Sequence, residues 1–178
     1  MPSLFDDLIE RIDDLHFRFV PEISLTGSYT EAEYDNMRAF RLLSHAEIER
    51  YVEALVESSL ARMTKTISLW KAAGTTSTLV DQIVEYTDKY LRSELIKKNH
   101  GVRKDNILSL LRPLGINGTQ LDNVWLETMD AYGAIRGGFA HNSQRATRPV
   151  DPLTEQNLLY QQILPELKKL EILVNSIS

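Results

Sequence analysis

The chain has 178 residues, which is enough for one domain with a substantial hydrophobic core. Its 43% hydrophobic and 25% charged residues are ordinary for a globular protein, and the lack of cysteine excludes structural disulfides and thiolate metal sites. The net charge of −5 argues against a general nucleic-acid coat protein, although a few positive charges can still be concentrated in one cleft.

The spacing of hydrophobic residues is helical throughout the chain, and β-branched alternation is nearly absent. A first helix is expected after Ser3, a good N-cap residue, and it should end near Pro21. Residues 22–30 form a predicted polar loop. Thr30 is expected to cap a long second helix that passes residue 65 before the pattern breaks at 72–78.

The rest of the chain continues this pattern. Helices are predicted over residues 78–98 and 104–111, from a Thr119 cap to about residue 142, and from Pro152 onward, with Pro165 expected to kink or split the last one. Trp70 and Trp125 are expected in the core. We therefore predict an all-α fold, a single-domain bundle of five to six helices over residues 1–178.

No targeting or membrane signal is expected. The N-terminus has no basic segment followed by an apolar run, and no apolar stretch is long enough to span a bilayer. These features predict a cytoplasmic protein without membrane contact. Four histidines and no cysteine also lead us to expect neither a dedicated metal site nor a cofactor. The basic residues between 97 and 104 are interpreted as a solvated turn rather than a phosphate site.

Arg136 and His141 are the main candidate catalytic residues, in the predicted helix that begins at about residue 119. Arginine binds phosphate, and histidine transfers protons near neutral pH, so this pair suggests phosphate chemistry with RNA as the first substrate to consider. On an ideal helix the two residues lie about 140° apart. They can form one site if Gly137 and Gly138 distort the helix or if a second copy completes the cleft.

A row of small and polar residues on the same helix bears on whether a second copy of the chain could complete the cleft. Asp130, Gly133, Gly137 and His141 follow at spacings of three and four, and the glycines would let another backbone approach closely. That backbone could belong to a second copy or to another part of the same chain.

Arg41, His45 and Glu49 follow at i, i+4 and i+8 along the edge of the second helix. Side chains at this spacing are neighbours, so Glu49 could orient His45 or pair with an arginine on another helix. A ladder of charges on a solvated edge is the favoured interpretation, with the three residues as supporting site candidates. Asn142 is a fourth supporting candidate beside His141.

These residues together resemble those of the HEPN superfamily. The early helix contains Arg41-Leu-Leu-Ser-His-Ala-Glu-Ile-Glu49, and the later one ends Arg136-Gly-Gly-Phe-Ala-His141-Asn. The second string matches the Arg-x(4 to 6)-His motif of active HEPN members, and the chain is most similar to the RiboL-PSP subgroup. Gly137 stands where active members often have a polar residue, and Ser143 stands where one toxin subgroup has tyrosine.

The resemblance implies a metal-independent endoribonuclease that acts as a homodimer, with Arg136 and His141 as its catalytic residues. It also implies a toxin–antitoxin or anti-phage defence context, with an antitoxin or another defence protein as a partner. The alternative that we retain is a non-catalytic helical module for dimerisation or binding, which is a degenerate HEPN domain. The acidic charge and Gly137 favour this alternative.

Overall fold

The computed structural model describes residues 3–74, 77–141 and 150–177, without the side chains of residue 95 and of residues 135–141. The α-helices of these ranges are α1 (Leu4–Phe19), α2 (Glu31–Ala72), α3 (Thr78–Tyr90), α4 (Lys104–Leu111), α5 (Asn123–His141), α6 (Pro152–Asn157) and α7 (Leu164–Ile177). Two π-helical segments extend this framework. Leu91–Ile96 continues α3, and Leu158–Ile163 joins α6 to α7, directly before Pro165. The predicted all-α bundle is confirmed.

Local capping chemistry explains where most of the helices begin. Ser3 and Thr30 each form a capping box, Ser3 with Asp6 and Thr30 with Glu33. The cap hydroxyl accepts a hydrogen bond from the backbone N–H of the acidic residue, and the carboxylate of that acidic residue accepts one from the backbone N–H of the cap residue. Asp151 caps α6 with Pro152 in the first position, as predicted. The predicted Thr119 cap is wrong, because Thr119 lies in a 3-10 turn. The carboxylate of Asp122 instead accepts from the N–H of Trp125, at 2.7 Å, at the start of α5.

The core lies where the first half of α2 meets α1, α5 and α7. Ile12, Phe40, Ile48 and Leu167 are completely buried there. Glu171 of α7 links three helices, since its carboxylate accepts from the Phe5 N–H of α1 at 3.1 Å and from the Tyr51 hydroxyl of α2 at 3.3 Å. Burial beside this carboxylate raises the pKa of Tyr51, which keeps its phenol protonated as a donor.

Beyond Leu60, α2 extends past this core and forms a hairpin with α3. Trp70, expected in the core, is more than half exposed, because it lies on this end of α2, where none of residues 61–72 is buried. Trp125 is buried as predicted. Across the described ranges, no helix has the combined length and apolar character that crossing a bilayer requires.

Gly133 marks the close approach of α5 to the segment that precedes α4. A Cβ at this glycine would stand 2.6 Å from the Cγ and 3.1 Å from the backbone nitrogen of Arg103. Arg103 also donates twice to Asp130, with both distances at 3.0 Å. At Asp130 and Gly133, the approaching backbone therefore belongs to the same chain.

We expect Gly133→Ala to destabilise the protein, by about 1–2 kcal/mol, because Arg103 must shift and weaken its contact with Asp130. Helix propensity alone would favour alanine by about 1 kcal/mol, so the sign of the change separates the two effects. Urea denaturation measures the free energy of unfolding. Gly118→Ala is the control, since its Cβ would meet only Leu108 at 3.8 Å. A Gly133→Ala protein more stable than the wild type would contradict this description of the contact.

Candidate functional site

The two main candidates, Arg136 and His141, both lie within α5. The backbone of residues 123–141 is α-helical along its whole length, including Gly137 and Gly138. The five steps from Arg136 to His141 turn a regular helix through about 500°, which leaves the two positions about 140° apart, so α5 does not bring the two candidates onto one face. Their side chains lie outside the description, and Asn142 lies outside the described residues altogether.

Arg41 and His45 of α2 meet α5 at Tyr132, which lies one helical turn before Arg136. The His45 ring is stacked on the Tyr132 ring, with centroids 5.8 Å apart and an interplanar angle of 16°. The Arg41 guanidinium carbon lies 5.1 Å from the centroid of the same ring. The Tyr132 hydroxyl donates to the Arg41 carbonyl oxygen at 3.4 Å. A cation–π contact that is shielded from water is worth up to about 2 kcal/mol.

Glu155 of α6 supplies the negative charge for this cluster. Its carboxylate lies 3.3 Å from the Arg41 guanidinium, and the two side chains are only 2% and 12% exposed. Burial raises the pKa of Glu155, and the charge of Arg41 opposes that rise. Burial, with a smaller effect from Glu155, also raises the pKa of Tyr132. Arg41, His45, Tyr132 and Glu155 are called the Tyr132 cluster below.

Glu49 lies at the rim of this cluster. Its carboxylate is 3.7 Å from Nδ1 of His45, an electrostatic contact when the imidazole is protonated. On its other side Glu49 lines a groove of about 490 Å³, which also contains Glu53, Glu57, Arg50 and Arg92. Because carboxylates alternate with cations there, this groove does not favour a polyanion.

The edge of α2 that was predicted to be solvated is therefore largely buried, and the favoured interpretation of Arg41, His45 and Glu49 as a surface ladder is wrong. The ladder forms because the side chains are neighbours, but α5 and α6 cover it. Of the alternatives, Glu49 does contact His45 along the helix, and an arginine–carboxylate pair between different helices forms between Arg41 and Glu155. His45 itself is 2% exposed.

Sequence reasoning missed the roles of Tyr132 and Glu155. Nothing in the sequence around Tyr132 showed that its ring would contact both a guanidinium and an imidazole of α2. Glu155 lies in the first turn of α6, where a carboxylate is favourable on an exposed helix, so no local signal indicated burial. The basic residues near position 100 are ion-paired, with Lys98 bound to Glu94 and Lys104 to Glu127.

The raised pKa of Glu155 predicts a pH effect on stability. The folded protein binds this proton more tightly than the unfolded chain does, so folding loses stability as the pH rises above about 4.5, the ordinary glutamate value. The free energy of unfolding of the wild type should therefore fall relative to that of Glu155→Gln between about pH 4 and pH 7.

Urea denaturation of both proteins across this range measures the difference. The informative quantity is how the difference in the free energy of unfolding changes with pH. Its absolute size is not informative, because Glu155→Gln also removes the charge that faces Arg41. Glu22→Gln, at an exposed loop carboxylate, is the control for the loss of one carboxylate. A difference that is constant or that grows in favour of the wild type would contradict the raised pKa.

Comparisons of the chain with protein-family models, with curated proteins and with solved structures found no match. The site is therefore described by its own geometry. In the described residues, a buried aromatic and ionic cluster fixes α5, the helix that carries Arg136 and His141, against α2 and α6.

Proposed function

We propose that this chain is a metal-independent endoribonuclease of the HEPN type that acts as a homodimer. Arg136 would bind the scissile phosphate, and His141 would transfer the proton. Arg41, His45 and Glu49 would support the helix that carries them, and Asn142 follows His141 directly as a further supporting candidate. No cofactor is part of the proposal.

The charge of residues 131–150 carries the proposal. This stretch contains three arginines and no aspartate or glutamate, in a chain whose net charge is −5. Arg136, Arg145 and Arg148 thus surround the candidate His141 in sequence. A short cationic segment in an acidic protein is the pattern expected for an enzyme that binds a polyanion at one place rather than along its whole surface.

The Tyr132 cluster supports the proposal in a second way. Catalytic groups must be held within about 0.5 Å of the productive geometry, and groups on packed helices meet this condition better than groups on loops. Tyr132 is held by contacts with both Arg41 and His45, and Arg136 follows it by one turn of the same helix.

A second copy would complete the cleft. Within one chain the two candidates are about 140° apart on a regular helix, so one face of α5 cannot present both. Two α5 helices that face each other across a two-fold axis can place Arg136 of each copy toward His141 of the other.

The reaction would use the substrate's own 2′-hydroxyl as the nucleophile. His141 removes its proton, the 2′-oxygen forms a bond to phosphorus, and the bond from phosphorus to the 5′-oxygen breaks. The leaving 5′-oxygen takes up a proton, and the products are a 2′,3′-cyclic phosphate and a 5′-hydroxyl. Arg136 stabilises the charge that develops on the phosphate oxygens.

The cellular context is proposed from the HEPN resemblance alone. A toxin–antitoxin or anti-phage system would require a partner protein, such as an antitoxin, that restrains the nuclease. The RiboL-PSP subgroup is the branch that the chain most resembles. We further propose that the protein acts in the cytoplasm, where its RNA substrate would be found.

A non-catalytic helical module for dimerisation or binding is the second candidate. The observation that favours it is the pairing of cations among the described residues, where Lys98, Arg103 and Lys104 each contact a carboxylate. These cations are neutralised locally and add little attraction for RNA. Gly137, after Arg136, also departs from the pattern of active HEPN members.

Arg136→Ala and His141→Ala should each reduce RNA cleavage by about 10²-fold or more, because each removes a group that acts on the transition state. The measurement is cleavage of a labelled single-stranded RNA in the presence of EDTA, with the product ends mapped. The wild type should leave 2′,3′-cyclic phosphate and 5′-hydroxyl ends.

Arg112→Ala and His100→Ala are the matched controls, since both side chains are exposed on other parts of the chain. They should cleave as the wild type does. Wild-type cleavage by either α5 variant would contradict the assignment of the catalytic residues. A wild type that does not cleave RNA under these conditions would favour the non-catalytic module.

A further inference from the structure

The helix α3 has its apolar stripe on the side that faces solvent. None of residues 78–90, all of which the structure describes, is buried. Five apolar side chains along this helix are between 42% and 72% exposed: Leu79, Val80, Ile83, Tyr86 and Tyr90. An amphipathic helix normally packs its apolar stripe against a neighbour.

The charged residues of α3 lie on its other side. Its four charged side chains, Asp81, Glu85, Asp88 and Lys89, all line the groove between α3 and α2. Asp81 lies 3.0 Å from Lys71 of α2, and the hydroxyl of Thr64 on α2 donates to Asp88 at 3.4 Å. The helix therefore faces α2 with its charged groups and Val84, and presents its other apolar groups to solvent.

The exposed stripe has the spacing of a helix–helix seam. Leu79, Ile83, Tyr86 and Tyr90 follow at intervals of four, three and four, which is the a/d repeat of helices that pack side by side. The stripe contains no charged residue. It is thus suited to another uncharged helical stripe and is unsuited to RNA or to anionic lipid headgroups, which require cations.

The size of the stripe fits a dimer interface. Five side chains of this kind at these exposures leave on the order of 600 Å² accessible, at the upper end of the largest apolar patch on ordinary monomers. With the polar residues at its margins, the stripe approaches the ~800 Å² that each partner contributes to a stable interface. The π-helical segment after α3 anchors this surface, because Leu91 and Ile96 are buried in the main core.

We propose that the α3 stripe is a self-association surface, on which the same stripe of a second copy packs across a two-fold axis. The stripe is its own complement, since an uncharged heptad seam on one copy meets an identical seam on the other. The two α2–α3 hairpins would then meet through their α3 helices, with each α2 on the outer side. The inference does not rest on ribonuclease activity.

The test is the mass of the protein in solution, by light scattering after size exclusion and by sedimentation equilibrium. The wild type should have twice the mass of one chain at micromolar concentration. Ile83→Lys and Tyr86→Lys each place one charge from each copy at the centre of the seam. Either change should raise the Kd of the dimer by at least ~30-fold. Both side chains are already exposed, so helical content by circular dichroism should not change.

Leu25→Lys is the matched control, because Leu25 is fully exposed and lies on the loop before α2. This variant should remain a dimer. A wild type that is monomeric at micromolar concentration overturns the proposal, whatever else the stripe binds. A dimer that persists unchanged in both α3 variants also overturns it. RNA cleavage enters neither outcome. A dimer that persists in both α3 variants overturns this proposal and leaves the ribonuclease proposal standing, whereas a monomeric wild type also contradicts the homodimer of the ribonuclease proposal.

Discussion

The position of α5 depends on the contact between Tyr132 and the two basic side chains of α2. Arg41 and His45 are one turn apart, and the Tyr132 ring packs against both. A guanidinium that is buried this deeply is costly unless an anion lies beside it, and Glu155 of α6 provides that anion. Three helices are thus joined by one aromatic ring and one ion pair.

This arrangement separates the tasks of the chain. The Tyr132 cluster is closed to solvent, so its charged groups are suited to holding helices together rather than to contacting RNA. The candidate catalytic residues lie farther along α5, in a segment that is cationic in an acidic protein. The exposed stripe of α3 lies on the hairpin, beyond the packed core. The Tyr132 cluster, the candidate catalytic residues and the proposed self-association stripe therefore lie on different parts of the fold.

Local chemistry made much of this fold predictable. Ser3, Thr30 and Pro152 mark helix starts because caps depend on residues that are adjacent in sequence. The burial of Arg41 and the exposure of Trp70 could not be predicted in this way, because both depend on which distant helix covers a given face. Periodicity identifies a face but not the partner of that face. The spacing of Arg136 and His141 already implied a separation of about 140° on a regular helix, and the structure adds that the backbone stays helical through Gly137 and Gly138.

A double-mutant cycle between Arg41 and Glu155 tests the central claim most directly. Arg41→Met and Glu155→Leu each leave one buried charge without its partner, and each should reduce the free energy of unfolding by about 3–5 kcal/mol. The double variant removes both charges and should lose clearly less than the sum of the two, with a coupling energy above about 1.5 kcal/mol. Single effects that simply add would show that the Arg41–Glu155 pair does not hold α2 and α6 together.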